Sequence, residues 1–139
     1  MSNQQKSSSL FGEVIYAYTR AQAIADGVLV DVSQTAREAG FRWPVAMTRT
    51  VWEDCVAWSE DDNRRQVYQD QSGRLWDVLW MAINAIRRIS DGTSQTLYQL
   101  YRVPRDSKSN EAQLVTLKLV AGPGDTGEPV ITIMLPQED

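Results

Sequence analysis

Histidine is absent from this 139-residue sequence. Histidine is the usual general base near neutral pH and the commonest metal ligand. Its absence therefore excludes Ser-His and Cys-His nucleophiles and every zinc site that uses a histidine. Cysteine occurs once, which excludes an internal disulfide and fits a reducing cytosol. With no reaction motif among the remaining residues, the sequence predicts no catalytic residue, no metal and no cofactor.

Long apolar runs and a strong basic charge are also missing. No stretch approaches the roughly 20 apolar residues that a membrane span needs, and the opening MSNQQKSSS lacks the apolar core of a signal peptide. The 14 basic and 18 acidic residues give a net charge of −4. That charge argues against sequence-independent binding of duplex DNA, which requires phosphate neutralisation. We therefore expect a cytoplasmic protein with no membrane partner.

The polar, Ser- and Gln-rich residues 1–9 predict a disordered arm. Residues 10–139 are long enough for one hydrophobic core and predict a single α+β domain. Residues 14–18 are β-branched and aromatic, which favours a short strand. Thr19 and Gln22 have the spacing of a capping box and predict a helix that starts there.

The next segments alternate between short strands and short helices. Residues 28–32 predict a buried strand, and Ser33 is expected to cap a helix over 34–39. The apolar alternation from 41 to 47 predicts extended chain. A helix then follows, capped by Thr48 or Thr50, with Cys55 on its apolar face.

The long middle segment carries the clearest pattern. Residues 59–63 predict an acidic loop, 65–70 a short strand and 71–74 a turn, with a long helix over 72–89. The helix has an apolar stripe at i, i+4, i+7 spacing: Leu75, Leu79, Ala82, Ile86 and Ile89. Residues 97–103, 114–120 and 130–135 predict an antiparallel meander. The expected fold is therefore a mainly antiparallel sheet, with one long helix on a face and small helices at the edge.

Trp80 is the most informative candidate on the long helix. At about 100° per residue it lies on the polar side near Arg87, with Met81 and Arg88 on the other flank of that side. Two interpretations stay open: a second layer, such as Trp43 or Trp58, covers the indole, or the indole is exposed. An exposed tryptophan rimmed by arginine is typical of a binding hot spot for a protein partner or a second copy.

A basic group in the C-terminal half gives an alternative function. Arg102, Arg105 and Lys118 lie near Tyr98 and Tyr101 in the sequence. Basic residues and aromatics on a sheet can bind single-stranded nucleic acid by charge and stacking. Strand alternation places the two tyrosines on opposite faces, so only one can contribute to such a platform. Ordinary exposed charge is the competing interpretation.

Three other features have structural interpretations. Cys55 lies beside acidic residues that disfavour a thiolate, so we expect a buried structural cysteine. The acidic cluster lacks the spacing of a calcium loop and predicts solvated charge; it comprises Glu53, Asp54, Glu60, Asp61 and Asp62. The glycine-rich segment 122–127 lacks the lysine of a phosphate-binding loop and predicts a hairpin connection.

Several segments together resemble a family of uncharacterised bacterial proteins that recurs on plasmids, integrative elements and phage-like islands. They are FGEVIYAYTRAQAIADGVLVDVS, AREAGFRWPVAMTRTVWEDCVAW, GRLWDVLWMA, LYRVPRD and GPGDTGEPVITIMLPQED. The resemblance covers residues 11–139 and brings no established activity. It implies an accessory protein of a mobile element that acts by binding, with host-defence antagonists of the anti-CRISPR or antirestriction type as examples.

A fainter likeness connects the opening strand–helix–strand with ADP-ribosyltransferase folds. It rests on residues 15–20 and the Gly-Val-Leu at 27–29, and it would use Arg20 and a late Glu128 in one cleft. The Ser-Thr-Ser motif of such enzymes is missing. The leading hypothesis is thus a non-enzymatic protein-binding protein, with a single-stranded nucleic-acid module and a transferase-like enzyme as alternatives.

Overall fold

The computed structural model describes residues 18–90 and 92–139. The predicted arm over 1–9 and nearly all of the predicted strand over 14–18 lie outside these residues. Within them the fold is α+β, and its strands form one five-stranded sheet in the order β1-β2-β5-β4-β3. The strands are β1 Leu29–Asp31, β2 Val45–Thr48, β3 Gln95–Arg102, β4 Gln113–Pro123 and β5 Pro129–Met134.

The predicted meander of the last three strands is confirmed. β3 pairs antiparallel with β4, and β4 pairs antiparallel with β5. The glycine-rich segment is the hairpin connection between β4 and β5, with Pro123 opposite Pro129. Alternation along each strand sends one set of side chains to the core and the other to the opposite face.

The sheet is mixed, and the prediction of a mainly antiparallel sheet is confirmed in part: three of the four strand pairings are antiparallel and one is parallel. β2 pairs antiparallel with β1 but parallel with β5. Pro44 precedes β2 and does not interrupt it, and the carbonyl of Pro44 accepts a hydrogen bond from the Ile131 amide. Pairing of strands so distant in sequence depends on tertiary packing, which local alternation does not encode.

The long helix, α5, spans Gln71–Ile86 and packs on the core face of the sheet. Val78, Leu79 and Ala82 are fully buried on it, while Leu75 and Ile86 are partly buried at the border. They pack with side chains from the strands and neighbouring helices: Val45, Met47, Tyr98, Leu100, Leu117, Leu119, Ile131 and Ile133. The apolar stripe therefore predicts the core, although the helix ends three residues before the expected 89.

The small helices were expected at the edge of the sheet. Two of them, α1 and α2, instead pack on its two opposite faces. α2 (Ser33–Ala39) packs beside α5 on the core face. α1 (Arg20–Ala25) lies on the opposite face, where the Arg20 guanidinium donates to Thr132 Oγ1 at 2.7 Å. The Asp125 carboxylate of the β4–β5 hairpin accepts from the amides of Arg20 and Ala21, which fixes α1 to the sheet.

Helix caps decide the details of these segments. The capping box of Thr19 and Gln22 is confirmed, and Thr48, rather than Thr50, caps the helical turn Arg49–Val51 (α3). Ser33 is not a cap: its hydroxyl donates to Asp31 and accepts from the Val45 amide, so it joins the two ends of neighbouring strands.

The predictions for residues 59–74 are wrong in three places. The acidic segment is a helix, α4 (Glu60–Arg65), because Ser59 and Asp62 form a capping box. Residues 66–70 form no strand. The expected turn over 71–74 is the first turn of α5, because the Asp70 carboxylate accepts from the Gly73 amide at 2.6 Å. In each case a polar side chain that suggests a loop serves as a helix cap.

Between α3 and α4 the chain forms a π-helix over Trp52–Val56. The Ala57 amide donates to the Trp52 carbonyl five residues earlier, at 2.8 Å. Cys55 and Val56 are buried in this turn, as their spacing predicts, while Trp52 is only partly buried. Among the described helices, none has the length and apolar character required to cross a membrane.

Candidate protein-binding surface

The solvent side of α5 exposes two tryptophans. Trp76 and Trp80 are 37% and 44% exposed. They are one helical turn apart, and their rings stack with centroids 5.9 Å apart at an interplanar angle of 16°. Neither Trp43 nor Trp58 covers Trp80: Trp43 is itself exposed, and Trp58 is buried against Arg74. The i, i+4 spacing of Trp76 and Trp80 in the sequence predicts that the two side chains are neighbours on a helix. The hot-spot prediction considered Trp80 without Trp76.

The four predicted partner-binding residues fall on two neighbouring strips that follow α5 and continue into the turn after Ile86. Helical spacing aligns Trp80 with Arg87 on the strip that also carries Trp76, and the Arg87 guanidinium lies close to Gly40 at the end of α2. Met81 and Arg88 lie on the second strip, which faces β3. We call Trp76, Trp80 and Arg87 the tryptophan strip, and Asp77, Met81 and Arg88 the β3-side strip.

A groove separates the β3-side strip from β3. At one end it has a volume of about 310 Å³, and Asp77, Trp80 and Met81 face residues 99–102 and Leu114 across it. Towards the other end Met81 and Arg88 face residues 96–99. The groove is open and shallow, and a surface of this shape suits contact with another polypeptide rather than enclosure of a small molecule.

Arg102, the first of the three predicted nucleic-acid residues, lies inside the protein. The residue is 6% exposed. Its nitrogens donate to the carbonyls of Cys55 and Arg74 and to the Asp77 carboxylate at 2.9–3.2 Å. The guanidinium is therefore committed to the fold, and in this conformation it has no free face for a phosphate.

Arg74 is a second buried arginine that the sequence patterns did not single out. It is 2% exposed, and its guanidinium carbon lies 4.5 Å from the centre of the Trp58 ring. It donates to the carbonyls of Val56, Asp54 and Val103. Burial lowers the pKa of Arg74 to about 10, and the positive charge of Arg102 acts in the same direction. This pKa still leaves the guanidinium protonated at neutral pH.

The two arginines have one structural task in common. The π-helix ends with the carbonyls of Asp54, Cys55 and Val56 pointing into the protein, and a helix end needs hydrogen-bond donors there. Arg74 donates to two of these carbonyls and Arg102 to the third. Buried arginine is thereby explained without a ligand.

Arg105 and Lys118 are also engaged in contacts within the protein. Arg105 lines an open pocket of about 320 Å³ together with Arg102, whereas Lys118 is not among the residues that line it. Arg105 donates to Asp62 at 2.9 Å and to Glu53 at 3.3 Å. Lys118 donates from Nζ to the carbonyl of Glu138 at 2.6 Å. The structure therefore brings two of the three predicted residues together and not the third, and the nucleic-acid alternative stays a prediction.

Cys55 is buried, with 1% of its surface exposed. Burial raises the pKa of the Cys55 thiol to about 11, and the negative charge of Asp54 acts in the same direction. The positive charges of Arg102 and Arg74 oppose this rise without cancelling it. The thiol is therefore protonated near neutral pH, which makes it a poor nucleophile.

The five acidic residues of the predicted cluster separate in the structure. Asp62 and Glu53 hold Arg105, whereas Asp61 pairs with Arg64 and Arg65 on α4. Within residues 18–90 and 92–139, no group of three or more potential metal ligands comes together. Three of the five carboxylates, those of Glu53, Asp61 and Asp62, pair with arginines, and that of Asp62 also caps α4.

The two residues of the transferase alternative also have structural partners. Arg20 donates to Thr132 and to the carbonyl of Ile131. Glu128 accepts from the amide and hydroxyl of Thr126 and closes the hairpin turn. Burial lowers the pKa of Arg20, and the charges of Asp31, Asp125 and Glu128 oppose this shift. The pair is thus near in space, but each side chain supports the local fold.

One family matches almost the whole sequence: a family of unknown function, DUF6573, over residues 8–139. The chain belongs to the DUF6573 family. This confirms the resemblance to an uncharacterised family, and it adds no activity. No curated protein and no solved structure matches the chain.

Proposed function

We propose that this DUF6573 protein is a non-enzymatic binding protein that recognises another protein through the tryptophan strip. The observation that carries the proposal is the stacked and exposed pair of Trp76 and Trp80, with Arg87 on the same side of the helix by its spacing. Tryptophan and arginine are the residues most enriched at binding hot spots. Stacking also holds each indole in place before binding, which reduces the entropy lost on association.

The setting of this function comes from the sequence resemblance. We propose a cytoplasmic accessory protein of a bacterial mobile genetic element, and a host-defence antagonist of the anti-CRISPR or antirestriction type as its specific role. The partner is then a protein of the host or of the element. Support for binding rather than catalysis comes from the residues considered for catalysis. The Cys55 thiol is buried and its pKa is raised, Arg20 donates to Thr132, and Glu128 accepts from Thr126.

Affinity capture from host cells tests the proposal. Tagged wild-type protein is used as bait beside the variant Trp76→Ala/Trp80→Ala, and the captured proteins are identified by mass spectrometry. We expect a partner that the wild type captures and the double variant loses. For the partner so found, Trp80→Ala alone should weaken binding by more than about 1–2 kcal/mol.

Tyr18→Ala is the matched control. Tyr18 is an aromatic residue that is 55% exposed, next to α1 on the opposite face of the sheet. This variant should capture the same partner as the wild type. Equal capture by wild type and double variant, or capture of no specific partner from hosts with and without defence systems, contradicts the proposal.

A further inference from the structure

The outer edge of β3 carries backbone groups that no described strand uses. The amide of Ala121 donates to the carbonyl of Ser94, which lies opposite it in the register of β3 and β4. Hydrogen-bonded pairs alternate along an antiparallel ladder. Every second residue from Ser94 therefore directs its backbone N–H and C=O groups towards β4. The residues between them direct these groups outward: Gln95, Leu97, Gln99 and Tyr101.

Two side-chain contacts agree with this assignment. The carbonyl of Leu97 accepts from the Thr96 hydroxyl, and the carbonyl of Tyr101 accepts from Arg102 Nε at 2.9 Å. β3 is the last strand of the sheet, and its eight residues contrast with the three of β1 at the other edge. A long edge strand is a template for a further strand, and proteins usually shorten or charge such an edge.

The side chains along this edge are complementary to themselves. Leu97 and Tyr101 are 58% and 66% exposed, lie on the same face of the sheet and are equally distant from Gln99 along the strand. In an antiparallel pair of two β3 strands centred on Gln99, each Leu97 lies opposite a Tyr101. Both residues direct backbone groups outward, so the register also matches donors with acceptors.

Charges on α5 and on the turn that follows it fit the same two-fold arrangement. Asp77 lies at the Arg102 end of β3, where its carboxylate holds Arg102 and its side chain is still 59% exposed. Arg88 lies near Thr96 and Leu97 at the other end, with Met81 between them. An antiparallel pairing brings Asp77 of one copy towards Arg88 of the other, at both ends of the interface.

We infer that this edge is a homodimer interface in which β3 pairs antiparallel with β3 of a second copy about an axis at Gln99. The two five-stranded sheets then form one continuous sheet, and the β3-side strips of the two α5 helices face each other. Of the tryptophan strip, Trp80 borders the groove beside β3, whereas Arg87 lies towards Gly40 at the end of α2. The inference does not depend on the proposed function.

Sedimentation velocity over a range of concentrations tests the inference on the full chain. We expect wild type to be a reversible dimer. Leu97→Lys places a charge on the edge and should raise the dimer dissociation constant by roughly tenfold or more. Gln99→Pro should act similarly, because it removes an outward N–H and leaves the ladder to β4 intact.

Val28→Lys is the control at the opposite edge of the sheet. Val28 precedes β1 and is 52% exposed, so the same substitution there should leave the dimer unchanged. A monomeric wild type contradicts the inference. So does a dimer that resists Leu97→Lys while circular dichroism shows a folded protein, or a dimer that Val28→Lys disrupts.

The adjacent arginines Arg87 and Arg88 separate this inference from the proposed function. Arg88→Glu should weaken the dimer by placing a second carboxylate near Asp77 of the other copy, whereas Arg87→Glu should not. Arg87→Glu should instead weaken partner capture. A monomeric protein that still captures its partner refutes the dimer alone, and a dimer without a partner refutes the proposed function alone.

Discussion

Two neighbouring regions of the molecule reverse the usual burial of charged and aromatic side chains. At one, Arg74 and Arg102 are buried, and at the other, Trp76 and Trp80 are exposed. Arginine is rarely buried unless it is paired, and large exposed apolar groups are informative when they cluster. Arg74, Trp76 and Trp80 lie on α5, and Arg102 lies at the end of β3, which packs against α5.

The two regions differ in whether the fold explains them. The buried arginines each donate several hydrogen bonds, and these satisfy the carbonyls at the end of the π-helix. The tryptophans contact each other as a stacked pair, and no hydrogen bond from either indole is found among the described residues. The hydrogen bonds explain why the two arginines are buried. No contact among the described residues explains why the two tryptophans are exposed. The second region is therefore the one that we assign to binding.

Replacement of a buried arginine should lower the free energy of unfolding more than any other substitution proposed. Arg74→Met keeps most of the side-chain volume and removes every donor to the carbonyls of Val56, Asp54 and Val103. Leaving these acceptors buried should lower the free energy of unfolding by about 3–5 kcal/mol. Urea denaturation followed by circular dichroism measures this change.

Arg64→Met is the control for that substitution. Arg64 pairs with Asp61 on the surface of α4 with 71% of its side chain exposed, so its loss should change stability by less than about 0.5 kcal/mol. Equal effects of the two substitutions would show that the buried hydrogen bonds contribute little.

Removing core volume from α5 should have a similar or slightly smaller effect. Leu79 is fully buried between the helix and the sheet. Leu79→Ala should cost about 2–5 kcal/mol, because the close-packed neighbours cannot fill the cavity. Leu97→Ala, at an exposed leucine, should cost much less. An unchanged urea midpoint for Leu79→Ala would remove this helix face from the core.

Thiol chemistry provides a measurement without a substitution. Because burial raises the pKa of Cys55 to about 11, its thiolate is scarce near neutral pH, and the folded protein should react slowly with a thiol reagent. The reaction should become fast after unfolding in guanidinium chloride. Fast labelling of the folded protein would indicate that the π-helix region opens easily.

Local patterns predicted the fold wherever side chains repeat at a regular interval. The stripe through Leu79 and Ala82 identified the core face of α5, and alternation identified the last three strands. The same patterns gave no information on the parallel pairing of β2 with β5, because that contact joins distant parts of the chain. They also misjudged Ser59 and Asp70, since capping residues and loop residues are of the same types.

The candidate site could be predicted only in part. Helical spacing correctly placed Trp80 on the polar side of α5, but it could not reveal the stacked ring of Trp76 or the burial of Arg102. From its residue type alone, Arg102 was predicted to lie at the surface. Its role depends on the carbonyl of Cys55, which lies 47 residues earlier, and a distant backbone acceptor leaves no local signal.

The central claim is that the buried arginines stabilise the fold and the exposed tryptophans serve binding. The most direct test compares Trp80→Ala with Arg74→Met in the same urea denaturation experiment. If Trp80 serves binding rather than folding, its truncation should lower the free energy of unfolding by less than about 1 kcal/mol, mostly from the lost stacking on Trp76. Arg74→Met should cost several times more. A loss for Trp80→Ala as large as that for Arg74→Met would make the indole part of the core and contradict the assignment of this surface to binding.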